Sequence, residues 1–153
     1  MNAAGDDPTG DWHRAQGVEC NNGIWDLAAK AERTAADDEE MLRRAYGAAY
    51  HWQRANGAGP ANEARALYML AKVHLLAGMP ERSLHYADEC LAQCRSNGLV
   101  DFDLAYAHEA RARALLALGL EHDGLDEWTV AKAVPIVDPE DKAIVDGDFA
   151  DAP

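Results

Sequence analysis

The residues best equipped for chemistry lie in the middle of the chain: His74, Cys90, Cys94 and Glu109, with the cations Arg65, Lys72 and Arg113 among them. A thiol beside an imidazole can serve as nucleophile and base, or as half of a metal site. Cys90 and Cys94, spaced C-x3-C, share a helical face and could clasp a soft metal such as copper(I). Neither a second cysteine pair nor a close histidine pair completes such a site. Both cysteines are therefore expected to be structural, with no bound metal or other cofactor, and His74 to be a hydrogen-bonded core residue near Cys90. The sharpest catalytic arrangement is His74, Glu109 and Arg113, with Arg65, Tyr68 and Tyr106 nearby. It offers a base, a carboxylate to orient it and cations for an oxyanion. No G-x-S-x-G, phosphate loop, HExxH or CxxC accompanies it. Enzymatic or small-molecule chemistry in the His74/Glu109/Arg113 region is the alternative reading, not the leading one.

The elements that position these residues are helices. Alanine is abundant, and no stretch shows sustained β-branched alternation. The pattern predicts helices near 22–34, 38–55, 61–77, 81–96, 103–118 and 122–134, and a short one near 139–146. Asn56-Gly57, Gly78, Asn97-Gly98 and Gly119 each follow a helical run, where a left-handed closing residue is wanted. Pro60, Pro80 and Pro139 sit where a first helical turn tolerates a missing N–H. Asp138, followed by Glu140 and Asp141, supplies a cap and two first-turn acids. Residues 1–17, Gly/Asp-rich without periodicity, are expected to be a mobile acidic arm. Residues 18–147 are expected to be the folded domain and 148–153 a mobile tail.

An internal repeat organises the helices. Shifted by 41 residues, Ala64 falls on Ala105, Ala71 on Ala112, Leu75 on Leu116, Gly78 on Gly119 and Leu84 on Leu125. Shifted back by 42, Leu84 falls on Leu42, Ala87 on Ala45 and Cys94 on Trp52. Three hairpins of about 40 residues emerge, the mark of a stacked helical repeat. The stretches "ALYMLAKVHLLAGMPERSLHYADECL" and "AYAHEARARALLALGLEHDGLDEWTVA" resemble the tetratricopeptide repeat family in a longer variant. They share the small residue at Ala71 and Ala112, the closing Gly78 and Gly119, and Leu84 and Leu125. The resemblance covers residues 22–134, strongly in the second and third hairpins. It departs at Ser83 and Gly124, where the family favours alanine. It implies an all-α fold of stacked antiparallel helical hairpins in a right-handed superhelix, here three hairpins closed by a short C-terminal helix. It also implies a concave face, made by the first helices, that binds a peptide or protein.

That geometry selects the residues of the groove. Arg65, Tyr68, Met69, Lys72 and Leu76 form one stripe on the second hairpin, and Tyr106, Glu109 and Arg113 the equivalent stripe on the third. On the first hairpin the stripe is Gly23, Asp26, Leu27 and Lys30, so Lys30, Lys72 and Arg113 form a column of cations. Lys72 and Arg65 have no acid on their own helix face, and two tyrosines stand beside them. Arg65, Tyr68, Lys72, Tyr106, Glu109 and Arg113 are the candidate ligand contacts. No asparagine lies on these stripes, so the family's carboxylate clamp is not expected. Trp25, Trp52 and Trp128 read as core anchors, His108 as packing between hairpins, and Trp12 as an aromatic in the arm that can dock onto a groove.

Charge narrows the partners. The net charge is −13, divided as −7 over residues 1–40, +2 over 41–120 and −8 over 121–153. Acidic ends would be repelled by a phosphate backbone, so nucleic acid is not an expected partner. The slightly basic middle suits an acidic peptide, a protein segment or an anionic small molecule, and the chain's own acidic ends could compete for it. No apolar run approaches the ~20 residues that span a bilayer, and "MNAAGDDPTGDW" lacks the pattern of a secretory signal. With three cysteines in no framework spacing, a reducing cytoplasm is the expected compartment. The terminal hairpins of so short an array need a polar outer face or a partner, and a homodimer is one way to supply it.

Overall fold

The computed structural model describes residues 7–153 and contains helices α1 (Pro8–Ala28), α2 (Ala35–Trp52), α3 (Pro60–Leu76), α4 (Pro80–Ser96), α5 (Asp101–Ala117), α6 (Glu121–Ala133) and α7 (Pro139–Asp148). No strand occurs among the described residues. Helices α1 and α2, α3 and α4, and α5 and α6 pair as antiparallel hairpins, and each hairpin packs on the next. The first helices α1, α3 and α5 also touch in series, forming one layer of the array. No described helix is long and apolar enough to cross a membrane.

Hairpins two and three repeat with a spacing of 41 residues at both helix starts, Pro60 to Asp101 and Pro80 to Glu121. The physical basis is alanine. Ala64, Ala66 and Ala71 on α3 and Ala105, Ala107 and Ala112 on α5 are all buried. Small side chains at these positions let helix axes approach closely, while larger residues fill the remaining space. Gly78 and Gly119, with φ of 78° and 77°, close α3 and α5 in the left-handed conformation that other residues rarely adopt. Ser83, at a position where the repeat pattern wants alanine, is buried because its hydroxyl donates to the Ala71 carbonyl oxygen at 2.7 Å.

The first hairpin differs from the sequence expectation. Helix α1 starts at Pro8, so residues 8–17, expected to be part of a mobile arm, are helical, and the folded domain begins well before residue 18. Residues 1–6 of that arm lie outside the described residues. Asp7 caps α1 by accepting from the Thr9 amide at 3.0 Å, and Pro8 occupies the first turn. The 22–34 helix does not form as such, because the chain leaves α1 after Ala28 and α2 begins at Ala35, with Thr34 as its N-cap. There Thr34 and Asp37 make a reciprocal capping box. The Gly/Asp-rich composition of residues 1–17 suggested a mobile arm, yet Gly17 is a contact. It is buried, and a Cβ there would stand about 3.0 Å from the Trp52 indole nitrogen. The start of α1 is tied to the end of α2 by Asn56, which donates to the Asp7 carbonyl oxygen at 2.7 Å and to Asp11 at 2.9 Å.

The C-terminal end is also more ordered by contacts than the expected tail 148–153. Asp138 caps α7 through the amides of Glu140 and Asp141, as expected. Val145 and Phe149 are buried against Ala105, Trp128 and Ala131, with the Phe149 and Trp128 rings edge to face at 5.3 Å. Asp101, at a φ of 63°, accepts from the Val137 amide at 3.0 Å and so pins the segment that leads into α7.

Gly17→Leu should destabilise the chain by about 1–3 kcal/mol, because the larger side chain overpacks the α1–α2 contact. Urea unfolding of wild type and variant checks this. Equal midpoints would mean that residues 8–17 do not pack on α2.

Candidate functional site

The layer of first helices carries a partly enclosed cavity of about 400 Å³. Its walls come from α1 (Asn21, Trp25), α3 (Ala64, Arg65, Tyr68, Met69, Lys72) and α5 (Phe102, Asp103, Tyr106, Glu109, Arg113). Cys90 of α4 and Asp148 at the end of α7 complete it. The six residues Arg65, Tyr68, Lys72, Tyr106, Glu109 and Arg113, singled out on the sequence stripes, all line this one space. A smaller space of about 160 Å³ adjoins it and shares Tyr68, Lys72, Glu109 and Arg113.

The cations are partnered differently from the sequence expectation. Arg65 lacks an acid on its own helix, but Asp103 of the next hairpin takes its guanidinium in a bidentate pair at 2.8 and 3.1 Å. That hydrogen bonding raises the Arg65 pKa, and the guanidinium also lies 5.2 Å from the Phe102 ring. Arg113 bonds to Glu109 one turn back, to both oxygens of Asp151 at 2.8 and 2.9 Å, and to the Asp148 carbonyl oxygen at 3.2 Å. The tail expected to be mobile thus supplies an acid to the groove. Tyr106 adds a second link, donating to the Asp148 carboxylate at 2.5 Å. Burial, together with that carboxylate, pushes the Tyr106 hydroxyl pKa upward. Lys72 is half-buried and, among the described residues, makes no ion pair; its ammonium stands 5.4 Å from the Trp25 ring centroid.

Glu109 is the deepest charge of the site, with 4% of its surface exposed. Burial raises its pKa, and the nearby charges of Arg113 and Lys72 oppose that rise. Only one of its oxygens is used. Oε1 accepts from Arg113, while Oε2 is buried without a hydrogen-bond partner. The Tyr68 hydroxyl lies close enough for burial and the Glu109 charge to hold its pKa well above the ordinary range, yet it makes no hydrogen bond of good geometry to Oε2.

The expected column through hairpin one does not exist. Lys30 lies beyond the end of α1 and pairs with Asp37 at 2.8 Å, and neither it nor Asp26 lines the cavity. The true register places Asn21 and Trp25 there, four residues apart on one face of α1. Trp25 is therefore a cavity wall, 46% exposed, and not a core anchor; Trp128 is the fully buried one. Asn21 is the asparagine that the sequence stripes lacked. Trp12 sits on α1, its ring edge-on to His13 and His51. Phe102, Asp103 and Asp148 were also missed. Continuing the α5 stripe one turn back from Tyr106 reaches the first two.

The catalytic arrangement does not assemble. His74 is buried away from the cavity, with Nδ1 2.8 Å from the Leu70 carbonyl oxygen and Nε2 3.3 Å from the Tyr46 hydroxyl. Its ring stacks on Tyr86, and burial lowers its pKa. Glu109 and Arg113 bond to each other and not to His74. Cys90 donates its thiol proton to the Ala64 carbonyl oxygen at 3.2 Å, and His74 is not its partner. The neighbouring Cys94 thiol and burial push the Cys90 pKa far up, the wrong direction for a nucleophilic thiolate. No group of three or more metal-ligating side chains occurs among the described residues. His108 lies 2.6 Å from Glu127, which also pairs with Arg111, and Arg111 reaches Asp88 of the preceding hairpin.

Asp151 gives this site a pH signature. The Arg113 hydrogen bond lowers its carboxyl pKa, so its contribution to stability is present above the unfolded value of about 3.9. It is lost as pH falls through the lower folded value. Asp151→Asn should therefore be less stable than wild type near neutral pH by about 0.2–1 kcal/mol, as for an exposed pair, with the difference vanishing in strong acid. Denaturant unfolding across that range checks it. A difference that persists in strong acid would mean that the charge pair is not its source.

No family model matches the chain, and neither a curated protein nor a solved structure gives a significant match.

Proposed function

We propose that this chain is a tetratricopeptide-like binding module whose concave face takes a small ligand bearing a ring and an anionic group. The observation that carries the reading is the cavity of about 400 Å³ in the layer of first helices, with half-buried Lys72 on its wall. Its size falls within the roughly 300–1,000 Å³ range of small-molecule sites. Its rings, Trp25, Tyr68, Phe102 and Tyr106, suit a flat apolar body. Arg65 and Arg113 are held by Asp103, Glu109 and Asp151. The attraction for an incoming anion therefore concentrates on Lys72. The grip of Arg113 on the chain's own Asp151 supports the anionic class. A space of this volume suits a small molecule better than a length of peptide.

The test is calorimetric titration of the full chain with 3-phenylpropionate at low and moderate salt. A charge-assisted contact is worth about 1.5–3 kcal/mol, so Lys72→Ala should weaken binding by about ten- to a hundredfold. Added salt should weaken it as well. Arg65→Ala should have the smaller effect, since Arg65 is engaged by Asp103. No binding to wild type, or equal binding by Lys72→Ala, would contradict the proposal.

A further inference from the structure

The anion reading leaves one feature of the cavity unused. Glu109 is a carboxylate with one oxygen on Arg113 and the other, Oε2, buried and unpartnered. Buried carboxylate oxygens are almost always satisfied, and an unsatisfied one carries a desolvation cost with nothing to offset it. The chain's nearest donor, the Tyr68 hydroxyl, makes no well-aligned bond to this oxygen, so Oε2 keeps capacity for a further donor.

The charges of the wall point the same way. Arg65, Lys72 and Arg113 face Asp103, Glu109 and Asp148, so the wall balances. The Arg65–Asp103 and Arg113–Glu109 pairs form and Tyr106 donates to Asp148, which leaves an unpaired ammonium on α3 and, on α5, the second oxygen of Glu109 unfilled. A simple anion at Lys72 would enter beside a buried carboxylate and leave Oε2 unsatisfied. A simple cation at Glu109 would meet the Lys72 ammonium. A ligand with both charges answers both groups and leaves the wall neutral.

We infer that the ligand is an aromatic zwitterion of the α-amino acid type, its carboxylate on Lys72, its ammonium on Glu109 Oε2 and its ring among the cavity's aromatic residues. The inference rests on the proposed anion site and adds the second pole. The volume is consistent, since about 400 Å³ is the liquid share of roughly a dozen waters at about 30 Å³ each. Oε2 is closed to solvent, so the ligand must open a path to it. Tyr68 and Lys72 border both the main space and the adjoining one. Lys72, on a flexible stem and without an ion-pair partner among the described residues, is the side chain free to turn toward the ligand carboxylate.

Three probes separate the poles: phenylalanine, 3-phenylpropionate, which lacks the ammonium, and phenethylamine, which lacks the carboxylate. Titrated calorimetrically into the full wild-type chain, phenylalanine should bind about ten- to a hundredfold tighter than either one-pole probe. Glu109→Gln should abolish the advantage of phenylalanine over 3-phenylpropionate, and Lys72→Ala should weaken both acids. Equal binding of phenylalanine and 3-phenylpropionate to wild type would overturn the zwitterion and leave the anion site standing. Failure of both acids would overturn the anion site as well. Because the wild-type series needs no variant, it decides the matter even if Glu109→Gln does not fold.

Discussion

Arg113 is the joint on which this end of the molecule depends. Its guanidinium meets Glu109 on its own helix, Asp151 and the Asp148 carbonyl oxygen at the C-terminal end, and it lies 4.8 Å from the ring of buried Trp128. A carboxylate as deep as Glu109 survives only with a partner, since removing the partner of a buried charge costs far more than the pair contributes. The same arginine joins that buried charge to the segment after α7. The deepest charge of the cavity and the closing end of the array are therefore held by one side chain. The planar fork of arginine allows this, whereas a lysine could not serve two carboxylates and a backbone oxygen in fixed directions.

The cavity exists because small and large residues alternate between layers. Alanines at the hairpin contacts bring helices together, and the aromatic residues of α3 and α5 line the cavity. The Tyr68 and Tyr106 rings meet edge to face at 5.4 Å, giving the wall a stiff apolar surface. Ion pairs then fill the gaps between hairpins, as Arg65 with Asp103 and Arg111 with Asp88 show. They fix how one hairpin sits on the next more than they add to stability, since exposed pairs are worth little.

The second and third hairpins were legible in the sequence because glycine and proline mark their ends and alanine marks their contacts. The stripes drawn from those helices found six residues that share one cavity. The first hairpin was not legible, for two local reasons. Its helices are joined by a segment without glycine, where the Thr34–Asp37 capping box is the only strong boundary signal. The Gly/Asp-rich start showed no helical periodicity, although Gly17 faces Trp52. That misplacement hid Trp25 and Asn21 and put Lys30 in a column it does not join. The Arg65–Asp103 pair and the reach of Asp151 to Arg113 link residues 38 positions apart. Helical periodicity carries no information about such contacts.

The central claim is that the space between α1, α3 and α5 is a binding site, and Trp25 reports on it directly. The chain's four tryptophans are well separated in role: Trp25 lines the cavity, Trp128 lies in the core beneath Arg113, Trp52 faces Gly17 of α1, and exposed Trp12 stands edge-on to His51 of α2. Proton–nitrogen correlation spectra of the indole groups during titration with 3-phenylpropionate would follow all of them together. The account predicts a saturable shift at Trp25, moved to about ten- to a hundredfold higher ligand concentration in Lys72→Ala, with Trp12 and Trp52 unmoved. An unchanged Trp25, or shifts confined to Trp12 and Trp52, would contradict it.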